Sequence, residues 1–146
     1  MGTCSGGEKR RIVAVSVIIN PTDCSILVGH KIKYNQWEFP GGKINPNEKI
    51  IDAGLRELKE ETGIIPKTYD FVTFWDHKKW LAFIFTGISE EEPQLLEPDK
   101  HYAWHFLRIS DFFELVNRGA VTKVTAKFSR DTVFQCLTKL KQRDIL

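Results

Sequence analysis

The sequence predicts an α/β domain in which helices pack on a sheet. Three observations carry that expectation. Runs of β-branched and aromatic residues, each of strand length and bounded by turn residues, recur through most of the chain. One segment between them, from Pro46 to Thr62, has helical periodicity and a stop signal in Gly63. A second helical pattern, from Phe128 to Lys141, closes the chain.

The elements follow in order. Arg11 to Ile19 is apolar and β-branched and reads as a buried strand. Asn20-Pro21-Thr22-Asp23 is a turn, and Ser25 to Lys33 is the hairpin partner. Trp37 to Gly42 is a short extended piece that ends in a glycine turn. The helix from Pro46 has Asn45 as its cap and Glu48 at the capping-box position. Tyr69 to Trp75 and Trp80 to Thr86 are aromatic strands joined by Asp76-His77-Lys78-Lys79. Ile88 to Lys100 is an acidic loop, and Tyr102 to Arg108 is another strand. Ser110 caps a short helix that runs to Asn117. In the last helix Val133, Phe134, Leu137 and Leu140 form the apolar stripe.

Length and charge exclude several classes. A chain of 146 residues suits one domain, expected over residues 1–146 with residues 1–9 as a flexible tail. Lys plus Arg is 21 and Asp plus Glu is 19, a net charge of +2, which argues against a nucleic-acid clamp and so against a stable nucleic-acid partner. Aromatics are 12% of the chain, too many for a disordered one. Cys4, Cys24 and Cys136 have neither disulfide nor zinc spacing. No signal peptide or transmembrane run is visible, so the expectation is a soluble cytoplasmic protein with no membrane partner.

The chemistry is concentrated in the Pro46–Thr62 segment. At about 100° per residue, Glu57, Glu60 and Glu61 share one helix face. Ile51, Leu55 and Leu58 form an apolar stripe about 130° away. Three adjacent carboxylates near a helix C-terminus repel one another and oppose the helix dipole, so stability does not explain them. A hard divalent cation does, Mg²⁺ or Mn²⁺, with substrate phosphates completing its shell. Arg56 can hold one carboxylate by a bidentate bridge.

From Gly42 the chain reads Gly42, five residues, Glu48, seven residues, then Arg56-Glu57-Leu58-Lys59-Glu60-Glu61-Thr62-Gly63-Ile64. This resembles the Nudix box, G-x5-E-x7-R-E-U-x-E-E-x-G-U with U aliphatic, at every specified position. Trp37 to Ile44 resembles the run before the box in MutT-type nucleoside triphosphate pyrophosphatases. Glu97-Pro98-Asp99-Lys100 followed by Trp104 resembles a late segment of several triphosphate-cleaving members. The resemblance implies the Nudix fold, an α/β/α sandwich with a central mixed β-sheet. It implies metal-dependent hydrolysis of a nucleoside diphosphate linked to another group. Glu57, Glu60 and Glu61 then correspond to metal ligands, with Gly41 and Glu92 as further candidates for the metal shell. Arg56 orients the glutamates, and Glu48 supports them.

The base that takes the proton from water is expected among Glu60, which is favoured, and Glu91, Glu92 and Glu97 of the acidic loop. Candidate catalytic residues are therefore Glu60, Glu57 and Arg56. Lys43, and Lys33 or Lys100, are expected to meet phosphates as point charges. Backbone N–H groups at Gly41 and Gly42 are open to the same anion. Phe74, Trp75, Trp80 and Trp104 are candidates for base stacking, and Glu97 for a further substrate contact. His77, His101 and His105 lack a ligand spacing and receive no role. The expected partner is a small nucleotide, bound by a monomer or a homodimer. The first expectation is a (deoxy)nucleoside triphosphate cleaved to monophosphate and pyrophosphate, since 41 residues before Gly42 suit the compact type. The alternatives are ADP-ribose or another nucleotide sugar, a dinucleoside polyphosphate, an RNA cap, and a binding module without turnover.

Overall fold

β1 (Arg11–Asn20) runs through the middle of one sheet and explains most of the architecture. Its odd and even side chains point to opposite faces, and both sets are buried. The structure, a computed structural model, describes residues 10–146 apart from the side chain of Phe128. The expected tail over residues 1–9, with Cys4, lies outside the described residues.

The remaining strands are β2 (Ser25–Lys31), β3 (Gln36–Glu38), β4 (Gly41–Lys43), β5 (Asp70–Asp76), β6 (Trp80–Ile88) and β7 (His101–Leu107). The helices are α1 (Ile50–Thr62), α2 (Ile109–Asn117) and α3 (Lys123–Gln142). Strand order is β3-β2-β1-β6-β5, with β7 added to β2 and β4 to β1. β1 and β6 are parallel from Arg11↔Trp80 to Ile19↔Ile88, and the other pairings are antiparallel, so the sheet is mixed. β2 touches β1 only at Ile19↔Ile26 and Asn20↔Ser25. At its other end β1 pairs with β4 instead, Val13↔Lys43 to Val15↔Gly41. The sheet therefore splits between β3 and β4, at Phe39-Pro40, and the site described below sits at that split.

Two cores flank the sheet. Val15, Val17, Ile19, Ile26, Val28 and Ile84 pack under Phe112 of α2 and Val133, Cys136 and Leu140 of α3. On the other face Ile18, Leu27 and Trp104 pack with Leu58 of α1, and Ala14 and Phe85 with Ala53. The result is the expected α/β/α sandwich. Cys24 and Cys136 are free thiols, and burial pushes Cys136 up to about 12. Among the described residues no helix is long and apolar enough to cross a membrane.

Several expectations need correction. α1 begins at Ile50, not Pro46, because Asn47 adopts a left-handed φ of 65° that no helix tolerates. Asn45 and Glu48 do make the capping-box contact, with Asn45 N–H donating to Glu48 Oε1 at 3.0 Å, but in a turn ahead of the helix. The buried face of α1 is Ala53, Gly54, Leu58, Glu61 and Thr62, and Ile51 is exposed. The apolar stripe and the carboxylate face are thus not separate: Glu61 lies on the buried side. α2 starts one residue before Ser110 without a side-chain cap. α3 starts at Lys123, five residues before Phe128, because Thr122 Oγ1 accepts from Thr125 N–H and caps it. Phe134 points to solvent, and Cys136 fills its expected place in the core.

Candidate functional site

Gly63 ends α1 in a left-handed conformation (φ 74°), with its N–H bonded to Lys59 O. That cap fixes the last turn, which carries the acids. Arg56 is the hub of their order. Its Nε donates to Glu48 Oε2 at 2.7 Å and its Nη2 to Glu48 Oε1 at 3.0 Å, a bidentate clamp. Nη2 also donates to Lys43 O at 3.0 Å, which ties α1 to β4. Nη1 donates to Glu57 Oε1 at 3.0 Å and reaches Glu60 at 3.3 Å. The hydrogen bonds from Arg56 hold Glu48 below the usual carboxylate range.

The three box carboxylates differ sharply in exposure: the side chains of Glu57, Glu60 and Glu61 are 18%, 51% and 6% accessible. Glu57 lies flat on β4, where a Cβ on Gly42 would overlap its carboxylate, so only glycine admits it. Desolvation raises the Glu57 pKa against the pull of Arg56. Glu61 accepts Gly41 N–H at 2.9 Å through Oε1. Burial, followed by the charge of Glu38, raises its pKa well above the usual range.

The site has a member that spacing in sequence did not reveal. His101, at the start of β7 and 3% exposed, holds Glu38 Oε2 at 2.9 Å through Nε2 and stands 3.9 Å from Glu61 Oε2. Glu38, Glu61 and His101 place their ligand atoms within 4.8 Å of one another. β3, α1 and β7 supply one residue each, so no local pattern could have disclosed the group.

Beside these acids a cavity of about 710 Å³ opens at the split in the sheet. Its walls include Glu38, Phe39, Gly41, Gly42 and Lys43, the N-terminus of α3 at Thr122–Thr125, and Tyr34 and Trp80. Arg11, Lys31, Lys43 and Lys123 give it four cationic side chains.

A family model for the NUDIX domain matches residues 9–131. The chain belongs to the Nudix hydrolase family. This Nudix chain is 28% identical over 144 residues to an RNA pyrophosphohydrolase of Caulobacter vibrioides, a match that spans 78% of this chain and 83% of that one. It is 47% identical over 47 residues to the 8-oxo-dGTP diphosphatase of Buchnera aphidicola, over 32% of this chain and 38% of that one. Among solved structures it is similar to a MutT Nudix hydrolase from Burkholderia pseudomallei, with a TM-score of 0.61 and 26% identity over 79% of this chain and all of that one (100%).

The other sequence-predicted residues of this Nudix domain are spread over several places. Gly41, Gly42 and Lys43 line the cavity next to the acids, and Trp80 lines its far wall. Glu97 lies close enough to Glu57 and Glu61 for its charge to raise both. Glu92 is exposed in the loop, while Glu91 accepts Ile65 N–H and Glu90 pairs with Lys67. Trp104 does not face the cavity: it is 6% exposed and packs over Gly29 and against His101. Phe74 is exposed on β5, and Trp75 stacks on His77, and neither lines the cavity. An aromatic in a strand has the same sequence signature whether it faces the core or the ligand, which is why the two were not separable.

Proposed function

We propose that this Nudix hydrolase cleaves (deoxy)nucleoside triphosphates to monophosphate and pyrophosphate, with Mg²⁺ bound, or Mn²⁺ in its place. The observation that carries the reading is the shared wall: Gly41, Gly42 and Lys43 border both the carboxylate group and a cation-lined cavity of about 710 Å³. That volume suits one small ligand.

The residues present fit a hard divalent ion. The donor set is all oxygen, two of its carboxylates are desolvated, and Gly42 leaves open the space that Glu57 needs. Glu57, Glu60 and Glu61 would hold it, with Glu97 near enough to join. When bound, the metal neutralises phosphate oxygens and makes a bound water more acidic. The protein's own groups do the rest. Arg56 bridges Glu57 and Glu48, offsets their repulsion and fixes their orientation. Lys43 and Gly42 border the space for the phosphates, while the Gly41 N–H expected to meet them is instead donated to Glu61. Glu60 is the exposed carboxylate of the three and, among the described residues, is held by long contacts to Arg56 alone, so it is assigned the proton of the attacking water. The water oxygen forms the new P–O bond, the anhydride P–O bond breaks, and its electron pair leaves with pyrophosphate.

A second reading is hydrolysis at the triphosphate end of an RNA. It is favoured by the match to the Caulobacter RNA pyrophosphohydrolase over most of both chains. One assay separates them. The protein is incubated with Mg²⁺ and a panel of nucleoside triphosphates, ADP-ribose, dinucleoside polyphosphates and a 5′-triphosphorylated oligoribonucleotide, and products are identified by mass. Monophosphate and pyrophosphate from a free triphosphate at the highest kcat/KM support the first reading. A higher kcat/KM on the oligoribonucleotide supports the second, and a preference for ADP-ribose overturns both.

A further inference from the structure

Glu61 is 5% exposed, and among the described residues one of its carboxylate oxygens has a hydrogen-bond partner. Oε1 accepts Gly41 N–H, while Oε2 meets, among the described residues, only His101 Nε2 at 3.9 Å, beyond hydrogen-bond reach. A second carboxylate beside Glu61 in this confined place adds a like charge and is costly without a cation. That second carboxylate is Glu38. It reaches the same spot from β3 and also forms part of the cavity wall. Its Oε2 is held by His101, and its Oε1 has Lys31 at 3.7 Å.

The geometry of His101 assigns its part. Among the described residues Nδ1 is buried with no hydrogen-bond partner, so the ring proton is assigned to Nε2, where Glu38 accepts it. A ring that donates through Nε2 has no lone pair there for a metal. It is instead placed as the outer partner that orients a ligating carboxylate.

We propose that Glu38 is an additional carboxylate of the metal centre, and that His101 is a positioning residue that aims it toward Glu61. The inference rests on the reading of Glu61 as a metal ligand. Two oxygens bound at about 2.1 Å to one octahedral ion lie about 3.0 Å apart when adjacent and 4.2 Å when opposite. Glu38 and Glu61 already place ligand atoms within 4.8 Å of each other, close to that span. Glu38 also lines the cavity, so it borders both Glu61 and the space assigned to the phosphates.

The test is Mn²⁺ titration of metal-free wild type, E38Q and H101Q, followed by the resonance of free Mn²⁺, with pulsed detection of any nitrogen bound to the ion. The expected result is that E38Q and H101Q each weaken Mn²⁺ binding about tenfold or more. No directly bound nitrogen is expected in any of the three proteins. Binding within about threefold of wild type in E38Q, with the same stoichiometry, overturns the assignment of Glu38. A bound nitrogen that disappears in H101Q overturns the positioning role, because His101 is then itself a ligand. If H101Q does not fold, Glu38→Asp takes its place: it keeps the charge but shortens the reach past His101, and unchanged Mn²⁺ affinity there overturns the proposal. The hydrolysis panel reads separately. Mn²⁺ binding that depends on Glu38 without nucleotide hydrolysis leaves this inference standing and removes the proposed function, and the opposite pattern does the reverse.

Discussion

Arg56 shows how much one side chain organises at this site. It touches Glu48, Glu57, Glu60 and the Lys43 carbonyl, a set that only a planar, forked donor can meet. Arg56→Lys is therefore expected to lower kcat/KM by about 10- to 100-fold at fixed Mg²⁺, the range for removing a partner that orients ligands. Steady-state kinetics with a circular-dichroism control checks this. Glu60→Gln is expected to lower kcat by about 10³ or more, since it removes a group assigned to the reacting water. A loss under tenfold in a folded variant removes Glu60 from that role. Glu61 makes a prediction about pH. Its folded-state pKa is raised, so its contribution to stability is fully present below the unfolded value near 4.5 and is lost as pH rises through the folded value. In EDTA, Glu61→Gln is expected to be more stable than wild type at pH 8, with the difference shrinking toward pH 4.5. Glu48, with its lowered pKa, acts with the opposite sign and only below about 4.5. Denaturant melts of both proteins across that range decide it.

At the scale of the element, α1 serves two purposes on one cylinder. Leu58 is fully buried against Ile18, Leu27 and Trp104, and Glu61 lies one turn further along the same inward side. Leu58→Ala is expected to cost about 2–5 kcal/mol, read as a shift in denaturant midpoint, because the sheet beneath it cannot collapse to fill the gap. Some loss of metal affinity should accompany it, since Leu58 seats the turn that carries Glu61. α3 provides a contrast. Phe134 has the right spacing for the core but is exposed, so Phe134→Ser is expected to change stability by less than about 0.5 kcal/mol. Helical period alone ranks Phe134 and Val133 alike. The sheet decides between them by its position.

Across the whole molecule, the net charge of +2 conceals a separation. Four acids from β3, α1 and the 89–100 loop, namely Glu38, Glu57, Glu61 and Glu97, influence one another, while Arg11, Lys31, Lys43 and Lys123 ring the adjoining cavity. Without a cation the acids oppose folding of their own site. Saturating Mg²⁺ at about 100 times its Kd should then add about 2.7 kcal/mol of stability. For a chain of this size that raises Tm by about 5–10 °C. Scanning calorimetry with and without EDTA checks it, and an unchanged Tm in Mg²⁺ removes the divalent site.

The local elements and the box were legible in the order of the residues. β-branched runs, the glycine stop at Gly63 and the Arg56-to-Glu61 spacing are short-range patterns, and the backbone obeys them with little help from elsewhere. The start of α1 was misplaced because Asn45 and Pro46 satisfy the rules for a helix start, while Asn47, of a residue type that enters the left-handed region readily, delays the helix to Ile50. The side of α1 that is buried was not legible: Ile51 is the more apolar residue, yet Glu61 is the one enclosed, because it sits over β3, β4 and β7. His101 is the plainest case. It is 63 residues from Glu38 in sequence, and only the pairing of β2 with both β3 and β7 brings the two together. By itself, then, the sequence determined the family, the sheet-and-helix order and the three box glutamates, because each is encoded within a few turns of chain. The membership of the site beyond the box was decided by strand pairing across long separations, where contacts depend on which edges the sheet leaves open.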